Sequence, residues 1–291
     1  MRIAIVGFGL IGGSIARALR RIKDMDVSPD ATGMSIVAWS PSGRGPRSGL
    51  DDGTLDSAPD HLGATIDGAD LVVLAAPPLA CLALLDEFAG PLRSALAPDT
   101  TITDVASTKR LIVLRAAALG LSFVGGHPMA GLETGGYGAA RDDLFADRPW
   151  LICPAATSVP TDVTRVEDLA RACRSWPRTI DPDEHDAAVA LISHLPLVLS
   201  TVLAEIGLDE GSWRVASSLA AGGWRDMTRL ARGDPEMGAG IAATNATELA
   251  RLVHAAQGRL AAWATDLERD TPDAVTLRQR MERVRRGLEE Q

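Results

Sequence analysis

Lysine is nearly missing from this chain: among 291 residues only Lys23 and Lys109 carry it, and the formal net charge is −9. A phosphate-backbone partner needs clustered cations, so nucleic-acid binding is excluded. Cysteine is scarce too. Cys81, Cys153 and Cys173 are widely spaced with no C-x-x-C pair, which excludes a disulfide framework and reads as reduced, buried thiols of a cytoplasmic protein. Long uninterrupted apolar runs are also lacking, so no membrane span is expected. The apolar start of the chain is punctuated by Gly7, Gly9, Gly12 and Gly13 and followed by Arg17, Arg20 and Arg21, which excludes a secretory signal. No set of His, Cys, Asp and Glu has metal-ligand spacing, and no metal is expected.

What is present suits a compact protein: 46% hydrophobic residues, enough for two packed domains. Arg2–Val6 reads as a strand, Gly7-Phe8-Gly9-Leu10-Ile11-Gly12 as a G-x-G-x-x-G turn, and the residues through Ala16, Leu19 and Ile22 as a helix. That context turns a weak motif into a dinucleotide fingerprint. The glycines allow a tight turn and let a pyrophosphate reach the N–H groups at the helix start, near Leu10 and Ile11. A second strand, Ser35–Trp39, ends at Ser40, where an NAD site usually places an acidic residue. Ser42, Arg44 and Arg47 follow, so the loop offers hydroxyls and cations to a 2′-phosphate; the reading is NADP or NAD, leaning to NADP.

Asp70–Pro78 reads as a buried strand ending at Ala76-Pro77, beside the same cofactor. Thr100–Val105 is a strand leading to Ser107, Arg110–Leu119 a helix, and Leu121–Val124 a strand that delivers a Gly-rich turn, Gly125-Gly126-His127-Pro128-Met129-Ala130-Gly131. Such a turn would present His127 as a proton acceptor and let substrate and nicotinamide approach its glycines. Trp150–Cys153, Val163–Trp176 and Arg178–Ile180 read as strand, helix and strand. The alternation implies a Rossmann-type doubly wound parallel sheet, with ligands beyond the carboxyl ends of its strands. From Asp183 the chain turns to Ala/Leu-rich helices. The expected domains are therefore 1–181, dinucleotide-binding, and 182–291, helical.

In the helical part, His185 and His194 are nine residues apart in the sequence, which places them on roughly opposite helix faces unless the helix bends, and Pro196 can supply a kink. A structural histidine reads the same way as a site histidine here. Arg225 and Arg229 are spaced to share a helix face, with Asp226 able to brace Arg229 as a carboxylate clamp; a solvated face with an ordinary ion pair fits equally.

These segments, in this order, resemble the prephenate/arogenate dehydrogenase family of tyrosine biosynthesis. The pieces that carry the resemblance are Gly7–Ser14, Asp104–Lys109, Gly125–Gly131 with Glu133, His185-Asp186, Ser193–Pro196, Gly222–Arg229, Asp234-Pro235 and Asn245. The resemblance implies oxidative decarboxylation of prephenate to 4-hydroxyphenylpyruvate with a nicotinamide cofactor, or of arogenate, or of both. It implies that His127 takes the ring hydroxyl proton, Ser107 orients it, Arg229 binds a substrate carboxylate, and Ser193 and His194 wall the pocket, with Arg225, Asp226 and Glu133 nearby. It also implies a homodimer through the helical domain. Leu197 departs from a second histidine common in the family, Ala106 from a glycine, and Gly238 from a tryptophan. The end at Gln291 suggests no attached regulatory or mutase domain. Dehydrogenases of the 3-hydroxyacid and 6-phosphogluconate types share the Gly-rich start but resemble one another in using a lysine of the helical domain; this chain has none after Lys109. A dinucleotide-binding regulator without catalysis would not need His127, Ser107 and Arg229 together.

Overall fold

The computed structural model describes residues 1–24, 33–132 and 134–290. Seven strands form one sheet: β1 (Arg2–Val6), β2 (Ser35–Trp39), β3 (Leu71–Leu74), β4 (Thr101–Asp104), β5 (Phe123–Pro128), β6 (Pro149–Pro154) and β7 (Trp176–Thr179). Their order is β2-β1-β3-β4-β5-β6-β7. Helices α1 (Leu10–Asp24), α2 (Arg44–Asp51), α3 (Leu62–Ile66), α4 (Pro78–Ala89), α5 (Arg110–Ala118) and α6 (Pro160–Ala172) connect them.

Alternation along the strands builds a core on each face of the sheet. Ile3 and Ile5 join the cluster with Ile15, Leu19 and Ile36, while Ala4 and Val6 join the other with Leu85, Phe88 and Ile102. The sheet is not wholly parallel. β6 runs antiparallel to β5, with Gly125 opposite Cys153 and His127 opposite Leu151. Among the described residues of 129–148 between them the one helical element is a 3₁₀ turn, Tyr137–Ala139, and none of them forms the helix by which a parallel crossover returns the chain to the starting edge.

The expected turn at Gly125–Gly126 is strand. Both glycines lie inside β5, and both are buried. A Cβ on Gly126 would lie 2.7 Å from the Asp104 carbonyl oxygen, and one on Gly125 3.1 Å from that of Cys153. Close packing of neighbouring backbone, not ligand approach, accounts for glycine at these positions.

Beyond the sheet run α7 (Pro182–Val189), a π-helical turn (Ala190–His194), α8 (Leu195–Asp209), α9 (Trp213–Ser218), α10 (Gly222–Met227) and α11 (Pro235–Thr244). The chain divides into two compact units, Met1–Ala246 and Thr247–Gln291. The second holds most of α12 (Ala246–Leu267) and all of α13 (Ala274–Glu289). Within it Asp266 pairs with Arg280 and, at 3.0 Å, with Arg269, and the Arg280 guanidinium lies 4.9 Å from the Trp263 ring centre.

One expectation about long apolar stretches is corrected. The continuous helical run Pro182–Asp209 is long and apolar enough to cross a membrane by length and composition, with a mean hydropathy of 2.0 in its most apolar window. Its polar residues interrupt the run to the eye without outweighing its leucines, valines and isoleucines. Three of them, His185, Asp186 and His194, are buried within the protein.

Candidate active site

The strand ends are level with one another. Val6 pairs with Leu74, and Leu74 with Asp104, so Gly7, Ala76-Pro77 and Ser107 follow three neighbouring strands at one carboxyl edge. β5 lies alongside, Val124 opposite Thr103, and carries His127 to the same edge.

The glycine loop fits a dinucleotide pyrophosphate. Gly7 has φ +94°, and a Cβ there would fall 2.2 Å from the Ala75 carbonyl oxygen; at Gly12 it would fall 2.2 Å from that of Gly7. Those two glycines hold the turn against β3 and α1. Gly9 differs: a Cβ there meets nothing within 4 Å, so it borders open space at the start of α1, where Leu10 and Ile11 are half-exposed and unpaired backbone N–H groups favour an anion. Ser40 follows β2 and is half-buried, and Arg44 and Arg47 lie exposed on the first turns of α2. Neither arginine makes an ion pair among the described residues.

Across the edge, three histidines converge. His127 Nδ1 lies 2.9 Å from His185 Nε2, and His185 Nδ1 lies 2.8 Å from Asp186 Oδ1. Asp186 is already an acceptor, taking the backbone N–H of Lys109 at 2.8 Å and of Arg110 at 3.0 Å at the start of α5. His185 Nδ1 must therefore donate to it. His185 Nε2 is then bare and accepts from His127 Nδ1, which leaves His127 Nε2 as a free lone pair. A parallel argument fixes His194. Asn245 Nδ2 donates to the Asp186 carbonyl at 2.8 Å and faces His194 Nδ1 at 3.2 Å. His194 Nδ1 thus accepts, and its Nε2 carries a hydrogen that is buried without a hydrogen-bond partner among the described residues. The edge so presents one acceptor, on His127.

Electrostatics keep these rings neutral. Burial lowers the pKa of His127 well below 6.5, helped by the positive fields of His185, Lys109 and His194. Burial also lowers that of His185, against the hydrogen bond to Asp186. His194 falls to about 4, again mainly by burial, with Asp186 and the nearby Ser107 backbone opposing. Beneath them lies a buried ion pair between Lys109 Nζ and Asp104 Oδ2. Asp104 also accepts from Gly126 N at 3.2 Å and Ala106 N at 3.1 Å, tying the Ser107 loop to the His127 strand. Burial pushes the Asp104 carboxyl up and Lys109 holds it down. Removing either partner would leave the other charged and buried.

His185 and His194 meet one site because of the π turn, not a kink at Pro196. An i→i+5 turn takes in one residue more than an α turn, so the opposite-face count no longer applies. Pro196 explains its location, since it has no N–H for the Ile192 carbonyl four residues back. The helical-face argument for Arg225 and Arg229 also changes. α10 ends at Met227, and Arg229 sits in the following turn. Arg225, Asp226, Arg229 and Ser193 are exposed, Ser107 is half-buried, and Leu197 is half-buried near Gly238. Glu133 lies outside the described residues. His185, which reads in the sequence equally as a structural or a site histidine, organises the cluster with Asp186, Asn245, Asp104 and Lys109, which the sequence offered only as pieces of the family resemblance. The adjacent His-Asp pair at a helix start was the one local signal for them.

Comparisons with known proteins identify the family. A family model for the nucleotide-binding domain of prephenate dehydrogenase matches residues 32–175, and one for its dimerization domain matches residues 181–288. The chain belongs to the prephenate dehydrogenase family. The glycine loop lies just ahead of the first matched stretch. Over 239 residues the chain is 31% identical to the prephenate dehydrogenase of Bacillus subtilis, covering 81% of this chain and 62% of that one, so it spans less than two thirds of that relative. It is 28% identical to Synechocystis arogenate dehydrogenase, with a TM-score of 0.75 over 99% of this chain and 100% of that one. It shares the fold of prephenate dehydrogenase from A. aeolicus, solved with hydroxyphenyl propionate and NAD+, at 22% identity and a TM-score of 0.85, covering 100% of this chain and 98% of that one.

Proposed function

We propose that this chain catalyses the NAD(P)-dependent oxidative decarboxylation of prephenate to 4-hydroxyphenylpyruvate. The observation that carries the proposal is the bare Nε2 of His127, set by the hydrogen bonds of His185 and Asp186, on the edge where Gly9 opens toward a dinucleotide. A nicotinamide cofactor held at the Gly7–Gly12 loop would supply the acceptor for the hydride of the ring carbon that bears the hydroxyl. His127 Nε2 holds the hydroxyl proton while the ring loses carbon dioxide and becomes aromatic, and returns it to the phenolate oxygen. Ser107 orients hydroxyl and imidazole. Arg229 grips a substrate carboxylate, with Arg225, Asp226, Ser193 and His194 around it.

The likeness to Synechocystis arogenate dehydrogenase supports arogenate as the second reading. Leu197 bears on it, being neutral toward both the keto and the ammonium side chain. NADP is favoured over NAD because Arg44 and Arg47 stand solvated beside Ser40. The boundary between the nucleotide-binding and helical domains is placed at Asp181-Pro182, where the Asp181 side chain caps α7 by accepting from Asp183 N at 2.8 Å. A homodimer through the helical domain is supported by the dimerization-domain match and by the exposure of Leu191, Ile192, Ile206 and Leu208. A cytoplasmic setting follows from the three unpaired, buried cysteines.

The test is a four-way assay of prephenate and arogenate with NAD and NADP, read as reduced-cofactor absorbance. Prephenate turnover, fastest with NADP, is expected; His127→Asn should lower kcat by roughly 10²–10⁴ with cofactor affinity unchanged. Inertness of both substrates with both cofactors overturns the proposal.

A further inference from the structure

We infer that His127 does not work alone: His185 is the second base of a two-histidine proton relay that ends on Asp186. This rests on the proposed role of His127 as acceptor of the substrate hydroxyl proton and extends it to what happens behind that ring. The three groups form a continuous chain, at 2.9 Å and 2.8 Å, and each has its hydrogen assigned by the next. The far end is anchored by two backbone N–H groups at the start of α5, so the carboxylate cannot swing away from His185.

When His127 Nε2 gains the hydroxyl proton, its Nδ1 proton shifts to His185 Nε2. One N–H bond forms on each ring and one breaks on His127, so His127 ends neutral with its hydrogen on Nε2. The positive charge then rests on His185, against Asp186. The reverse shift hands the proton back to the phenolate oxygen, and no proton is gained or lost in the cycle. The charges around the cluster favour this placement. Lys109 acts on both rings, but His127 has no carboxylate partner of its own, whereas His185 has Asp186 in direct contact. Asp104, the other buried carboxylate nearby, is committed to Lys109. A cation held on His185 is therefore better compensated than one held on His127. His185 is fully buried, so within this chain it acts through His127, as a positioning and relay residue.

His185→Gln separates relay from scaffold. A glutamine can accept from His127 Nδ1 and donate to Asp186, keeping the ring orientation, but it cannot carry a proton onward. Two measurements test the inference. Nitrogen-15 NMR of the wild-type chain, histidine-labelled and without substrate, reports the tautomers directly. His127 protonated at Nδ1 and His185 protonated at Nδ1 are expected; His127 protonated at Nε2 overturns the relay. A proton inventory of kcat in mixed light and heavy water, on enzyme saturated with cofactor and prephenate, should be curved for wild type and linear for His185→Gln. That variant should keep both KM values and lose about 10²-fold in kcat. An unchanged kcat with an unchanged inventory overturns the relay. If wild type turns over neither prephenate nor arogenate, the functional reading fails, while the tautomer spectrum still decides whether the network exists.

Discussion

The two walls of the proposed site are built on different principles. The cofactor wall, Gly7–Gly12, is a matter of steric room: two glycines are pressed against backbone oxygens and a third borders empty space. The histidine wall, from Gly125 to His127 with His185 and His194, is a matter of hydrogen bonds among buried neutral rings, and its glycines serve packing alone. A run of glycines ahead of a functional residue thus has two distinct causes. Only the direction in which a missing Cβ would point tells them apart.

Substitutions at the glycines and a change of pH probe this contrast, because the first wall has no titrating group and the second has three. The largest effect is expected at Gly7→Ala, where a left-handed φ and a 2.2 Å clash with backbone act together. Thermal or denaturant unfolding should record a loss of about 3 kcal/mol or more, and wild-type stability would mean the loop has freedom the geometry denies it. Acid comes next. A histidine whose folded pKa lies below its unfolded one binds fewer protons in the native state, so its stabilisation is complete above the unfolded pKa and is lost as pH falls through the folded one. For His194 that window runs from 6.5 to about 4, worth about 3 kcal/mol; His127 and His185 shift in the same direction, near Asp186, Asp104 and Lys109. Unfolding curves across this range should steepen in wild type and flatten in His194→Gln, and a slope unaltered by that change would place the acid sensitivity elsewhere. Gly126→Ala should cost about 2 kcal/mol by pressing on the Asp104 carbonyl, with kcat falling as His127 moves and cofactor affinity retained. The smallest stability change belongs to Gly9→Ala, within about 0.5 kcal/mol. Its cofactor Kd should nevertheless rise about tenfold, since the new methyl occupies the pyrophosphate's space. Unchanged affinity there removes the loop from the cofactor site.

Much of the cofactor wall was legible in the residues themselves. A strand of Ile, Ala and Val, a G-x-G-x-x-G turn and a helix are local features, and local sterics at Gly7 and Gly12 enforce them. The doubly wound sheet, with its carboxyl edge as the place for ligands, followed from alternation of strands and helices. The antiparallel β6 did not, because nothing within Trp150–Cys153 states its direction; that depends on the missing crossover before it. The relation of His185 to His194 was likewise hidden. Helical periodicity put them on opposite faces, and the π turn that reunites them stems from one proline acting together with the packing of Asn245 and Asp186.

By itself, then, the sequence determined the elements and their chemistry: which stretches become strands and helices, where a backbone can turn tightly, and that an imidazole stands at a strand end. The tertiary structure alone decided which nitrogen of that imidazole is bare. A tautomer is set by hydrogen-bond partners, and the partner of His127 is His185, 58 positions further along the chain and itself oriented by Asp186. Only the folded protein brings the two rings within 3 Å.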